Sequence, residues 1–67
     1  MKDVVALRNL IQKRFDSESA AARSLGWPRQ RLNRLTTGRR KPSISEARDL
    51  ARLLSVDVGE LIDIFLS

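Results

Sequence analysis

The chain has 67 residues, a formal net charge of +5 and a sequence pI near 11.1, and it contains neither Cys nor His. That length fits one small domain, residues 1–67, burying only about 60% of the surface its unfolded form exposes. Without Cys there are no disulfides or thiolate zinc sites, and without His no Ser-His-Asp or Cys-His catalysis, so no enzyme, metal site or cofactor is expected.

The first predicted helix covers about residues 3–14. Val4, Leu7, Leu10 (or Ile11) and Phe15 recur at three- and four-residue steps and form one apolar stripe. Arg8 interrupts the opening apolar run before a signal-peptide core could form. A second helix is predicted over 18–25, capped by Ser17, with Ala21, Ala22 and Leu25 on its inner side. Gly26 fits the left-handed position just past its end.

The third helix is predicted over 28–36, because Pro28 lacks the N–H that would stay unpaired at a helix start. Gly38 ends it, and "GRRKPS" is a loop in which Pro42 biases Lys41 away from helical angles. Ser43 and Glu46 form a capping box for a fourth helix, 44–54, with Ile44, Ala47, Leu50, Ala51 and Leu54 inward. A second box, Asp57 with Glu60, starts a fifth helix that runs to about residue 66, with Val56 and Leu61 as a hydrophobic staple. Nothing alternates with period two, so the expected fold is an all-α, compact five-helix domain.

The short turn around Gly26 makes the second and third helices cross steeply, as in a helix-turn-helix over about residues 17–37. Leu32 and Leu35 are three apart and face inward. At about 100° per residue, Gln30, Asn33, Arg34 and Thr37 fall on the opposite side, with Arg29 and Arg31 on the flanks. No Asp or Glu occurs between Glu18 and Glu46, whereas Arg39, Arg40 and Lys41 follow the third helix directly. Arg can bond guanine, and Gln or Asn adenine, in bidentate fashion at major-groove edges. The loop cations suit phosphates.

The run "AARSLGWPRQRLNRLTTGRRKPS", from Ala21 to Ser43, resembles the helix-turn-helix of the phage repressor and Cro type. Ala22, Leu25, Gly26, Trp27, Leu32, Leu35, Gly38, Lys41, Pro42 and Ser43 stand at that pattern's places, and "ARDLARLLSVDVGEL" is similar to the family's fourth helix and the start of its fifth. The resemblance covers roughly residues 7 to 62. It implies a lambda-repressor-like fold with the third helix in the major groove. Base contacts then fall on Arg29, Gln30 and Arg34, with Asn33 beside them. Backbone contacts fall on Ser17 at the start of the second helix, on Thr37 and on Arg39, Arg40 and Lys41; Arg31 is a phosphate contact or an ion-pair partner. Trp27, in the apolar slot after Gly26, belongs to the core. Glu18 departs from the family's frequent Gln, and a pairing with Arg29 would aim that side chain. Pro28 replaces a Ser or Thr cap, and Phe15-Asp16 replaces a Gly-apolar pair.

In the fifth helix, Leu61, Ile62, Ile64, Phe65 and Leu66 leave only Asp63 polar. One face of a two-turn helix does not bury all five, which predicts a dimerisation helix over 57–66. The expected function is a small, sequence-specific double-stranded DNA-binding regulator, a homodimeric repressor. Its expected setting is cytoplasmic, in a bacterium or encoded by a phage, on the nucleoid when bound. The rivals are a protein-interaction module of the same fold that does not bind DNA, and the antitoxin of a toxin–antitoxin pair. A membrane-surface helix is disfavoured, because Leu32 and Leu35 are too few anchors.

Overall fold

The computed structural model describes residues 4–66. Within them lie five helices: α1 (Val5–Arg14), α2 (Glu18–Leu25), α3 (Arg29–Thr36), α4 (Ile44–Leu54) and α5 (Val58–Leu66). No strand occurs among the described residues, so the all-α expectation holds. Asp3, the expected start of the first helix, lies outside them.

Local signals account for most helix ends. The Ser17 hydroxyl accepts from the Ala20 N–H at 3.1 Å and caps α2. Gly26 follows α2 at φ +74°, with Trp27 N–H on the Ala22 carbonyl (2.9 Å) and Gly26 N–H on that of Arg23 (3.1 Å). This paired closure satisfies two carbonyls the helix would otherwise leave open. Gly38, also at φ +74°, closes α3 in the same way through Arg39 N–H to Arg34 and Gly38 N–H to Leu35. At the end of α4 a serine does this work: Ser55 sits at φ +57°, where a side chain strains the backbone.

The Ser43–Glu46 capping box is complete in both directions. At α5, Asp57 accepts from the Gly59 N–H at 3.0 Å, but Glu60 does not reach back and its side chain is exposed. Helix α3 begins one residue later than expected, with Pro28 extended just before it. Pro28 thereby sets the entry angle of α3 without a side-chain cap.

The core is drawn from every helix: Leu7 and Ile11, Ala21 and Ala22, Leu32 and Leu35, Ala47, Leu50, Ala51 and Leu54, and Leu61, with Trp27 from the turn. Each fully buried Leu contributes about 1.5–3 kcal/mol of transfer free energy. Alanines on α2 and α4 let these helices approach each other, and α2 also packs on α3. The N–H of Val4 donates to the Thr36 carbonyl at 2.7 Å and ties the start of α1 to the end of α3. Two expectations about the core also need correction. In α1 the fully buried stripe is Leu7–Ile11, while Val4, Leu10 and Phe15 pack only partly. Ile44, assigned inward, is 72% exposed, because the first residue of α4 lies beyond the edge of the core.

Candidate nucleic-acid interface

Helix α3 is held by Leu32 and Leu35, both fully buried, so the helical period turns Gln30 and Arg34 to the far side. Gln30 and Arg34, one turn apart, are exposed. With Pro28, Arg31 and Arg40 they line one shallow, open depression of about 490 Å³. Arg29, the first residue of α3, is also exposed and lines a second depression of about 210 Å³ with Gln12, Asp16, Ser17, Glu18 and Ser19. Arg29 and Ser17 are thus brought to one place, at the joint starts of α2 and α3. The Ser17 oxygen accepts from Ala20, which leaves its own proton available to an anion.

Asn33 and Thr37 sit differently from the outward face assigned to them. Asn33 is half-buried, and its side-chain N–H donates to Glu18 Oε2 at 3.3 Å. The Thr37 hydroxyl donates to the Asn33 carbonyl at 2.7 Å, so its lone pairs rather than its proton face outward. Glu18 does not aim Arg29. Its carboxylate instead takes Asn33 and the hydroxyl of the fully buried Thr36, binding the first turn of α2 to the last turns of α3.

The loop cations divide. Arg39 and Lys41 are exposed, with no acidic partner among the described residues, and Arg29 and Arg34 share that condition. Arg40 instead grips Glu46 in a forked pair, Nη1 to Oε1 at 2.9 Å and Nη2 to Oε2 at 2.8 Å. Arg31 joins from α3 through Nε to the same Oε2 at 2.8 Å, and its guanidinium lies 4.4 Å from the centroid of the Trp27 ring. Trp27 is therefore both core and platform: 8% exposed, with one face on the domain and one under a cation.

Glu46 is only 3% exposed. Its two oxygens accept from Arg40 twice, from Arg31 and from the Ser43 N–H at 2.9 Å. A carboxylate offers about four acceptor positions, and here all are used. The Arg40 hydrogen bonds hold its carboxyl well below the usual carboxylate range; burial opposes them, and Ser43 and Arg31 add to them.

Part of this was open to sequence reading and part was not. Leu32 and Leu35 inward and Gln30 and Arg34 outward follow from the helical period. The sequence marks Glu46 as a capping-box residue and offers Arg31 as a phosphate contact or an ion-pair partner, but it does not name Glu46 as the acid that Arg31 and Arg40 share. One signal pointed there: Glu18 and Glu46 bound the acid-free stretch, so they are the nearest carboxylates for its cations and amides.

A family model described as helix-turn-helix matches residues 7–61, most of the chain. The protein belongs to the Cro/C1-type helix-turn-helix family. No curated protein and no solved structure gives a significant match. As a helix-turn-helix protein it stands among DNA-binding transcription regulators. In this motif the second helix, here α3, enters the major groove with its N-terminal residues on base edges. On α3 Gln30 and Arg34 share the exposed side, and Arg29 is the exposed first residue at its N-terminal end. No helix among the described residues is long and apolar enough to cross a membrane.

On α5, Leu61 is fully enclosed by the domain's own core, so it has no surface to offer a second copy. Ile64 and Phe65 are half-buried against that core. Ile62 and Leu66 are exposed, 39% and 68%, and with Ile44, Ala47 and Phe65 they line an apolar groove of about 220 Å³ beside Lys41 and Pro42.

Proposed function

We propose that this helix-turn-helix protein recognises a specific double-stranded DNA site and represses transcription from it as a homodimer. The observation that carries the reading is the exposed face of α3. Gln30 and Arg34 stand one turn apart, Arg29 leads at the N-terminal end, and neither arginine has an acidic partner among the described residues. Two forked cations and an amide in this spacing match the acceptor and donor patterns of base pairs in the major groove.

In this reading Arg29, Gln30 and Arg34 contact bases. Ser17, Arg39 and Lys41 meet the phosphate backbone, joined by the outward N–H groups of Arg31 and Arg40, and Thr37 joins them by turning its hydroxyl proton from the Asn33 carbonyl to a phosphate oxygen. Asn33 serves chiefly as the bridge to Glu18. Dimerisation uses Ile62 and Leu66 with the flanks of Ile64 and Phe65, so that two copies of α3 about 34 Å apart read a palindrome. Bound across a promoter, such a dimer excludes polymerase.

Selection of duplexes from a random pool tests this directly. The expected outcome is enrichment of a two-fold symmetric site whose half-sites lie about 10 base pairs apart, centre to centre. Binding to it should weaken by about 0.9 log units per log salt for each phosphate neutralised. No enrichment, together with no binding to any duplex at low salt, would overturn the reading.

A further inference from the structure

Of the cations in the basic stretch from Arg29 to Lys41, Arg31 and Arg40 are the two held by an acid, and the same acid holds both. Arg31 comes from α3 and Arg40 from the loop after it, nine positions later in the chain. Between them lies the Glu46 carboxylate, 4% exposed, which the capping box of α4 fixes through the Ser43 N–H. The two arginine side chains stay partly open to solvent, 42% and 41% exposed. An arginine has five N–H donors. Arg40 directs two to Glu46 and Arg31 one, so the rest remain for a ligand. Trp27 supports Arg31 from the domain side. Both cations line the depression that also holds Gln30 and Arg34.

We propose that Glu46 is a positioning residue for DNA recognition: its buried carboxylate locks Arg31 and Arg40 into one rigid phosphate-binding pair beside Gln30 and Arg34, so that backbone grip and base readout share one register. Left alone, two guanidiniums this close would repel and swing apart. Glu46 cancels that repulsion, and the forked geometry of Arg40 fixes its plane as well as its place. Because its four acceptor positions are all occupied, Glu46 presents little bare negative charge to an approaching phosphate. An acidic residue thereby helps to bind a polyanion. The inference rests on the DNA-binding reading above.

Added charge and lost positioning have opposite effects in Glu46→Gln. Net charge rises by one, which by itself strengthens binding to every duplex. Loss of the clamp lets Arg31 and Arg40 move independently, which weakens binding only where register matters. The experiment compares the selected duplex with a scrambled duplex of equal length, over a salt series, at a temperature where far-ultraviolet circular dichroism shows the variant folded. The expected result is unchanged or tighter binding to the scrambled duplex and about tenfold weaker binding to the selected one. The specificity ratio then falls at least tenfold. Partial unfolding scales both affinities equally and leaves that ratio untouched. Arg40→Lys, which keeps the charge and removes the fork, should lower the ratio in the same direction, and Glu46→Asp should keep more of it than Glu46→Gln does. A ratio equal to wild type in Glu46→Gln and Arg40→Lys would overturn the inference while leaving DNA binding intact. Failure of the wild-type protein to bind any duplex would instead remove the function on which it rests.

Discussion

Helices α3 and α5 are nearly equal in length and opposite in composition, and their burial runs against composition. The eight residues of α3, RQRLNRLT, include three arginines, a glutamine and an asparagine, yet Leu32, Leu35 and Thr36 are wholly buried. The nine of α5, VGELIDIFL, include six large apolar residues, yet only Leu61 is fully enclosed. Placement does not explain the inversion, because each helix packs on two others, α3 on α2 and α1 and α5 on α4 and α1. The distribution of apolar residues around each helix explains it. A narrow apolar stripe is enough to anchor α3, and the rest of its circumference is free for function. Apolar residues run around most of the circumference of α5, so one packed face leaves some uncovered, and these are Ile62 and Leu66.

The sharpest way to break this contrast is to truncate one leucine on each helix. Leu35→Ala should destabilise the domain by about 2–5 kcal/mol, because it empties a fully enclosed site. In so small a domain that is most of the stability, and urea titration should show a large fall in midpoint. Leu66→Ala should move the midpoint by less than about 0.5 kcal/mol. Its effect should instead appear in sedimentation, as a shift toward monomer. Equal destabilisation by the two would mean that the edge groove is really part of the core.

On the outward side of α3, Arg34→Ala should lose about 1–3 kcal/mol of discrimination at one base pair, with the preference there relaxed. Arg39→Ala, on the loop, should weaken all duplexes alike and reduce the salt slope by about one phosphate. Matched binding series on the selected and scrambled duplexes separate the two. Identical behaviour of the two variants would erase the distinction drawn between helix and loop.

Acid should test the other anchorage of α3, through Glu46. Folding lowers the pKa of this carboxyl below its unfolded value of about 4.3. Its contribution is therefore fully present above that value and is lost as pH falls below it. Chemical denaturation should give a stability that stays flat from pH 8 to about pH 5 and then declines. Glu46 supplies up to about 1.4 kcal/mol per pH unit of that decline. In Glu46→Gln the acid limb should be shallower by that amount; an unchanged limb would show that other carboxyls govern acid unfolding.

The smallest effect concerns the join to α5. Ser55→Gly removes a side chain from a left-handed residue at φ +57° and should stabilise the domain by about 0.5–1 kcal/mol. The hydrogen bonds that close α4 there are backbone bonds and survive the change, so thermal melting alone reads the strain. A lower melting temperature would mean that the Ser55 side chain contributes contacts of its own.

Much of this molecule was written within short stretches of chain. Ser17, Gly26, Gly38, Ser43 and Asp57 announced helix ends because capping acts between residues two to five apart. Leu32, Leu35, Gln30 and Arg34 announced their sides because the helical period is a local property. Packing decided what remained. Glu46 meets Arg31 across 15 positions, and Glu18 meets Thr36 across 18, and such meetings depend on how α2, α3 and α4 are set against one another. No period within a helix encodes that setting. The same holds for α5, whose apolar residues were plain in the sequence while their division between core and groove was not. Chain-local hydrogen bonding and periodicity determined the elements and the outward face of α3; only the tertiary structure chose which cations an acid holds and which stay open for DNA.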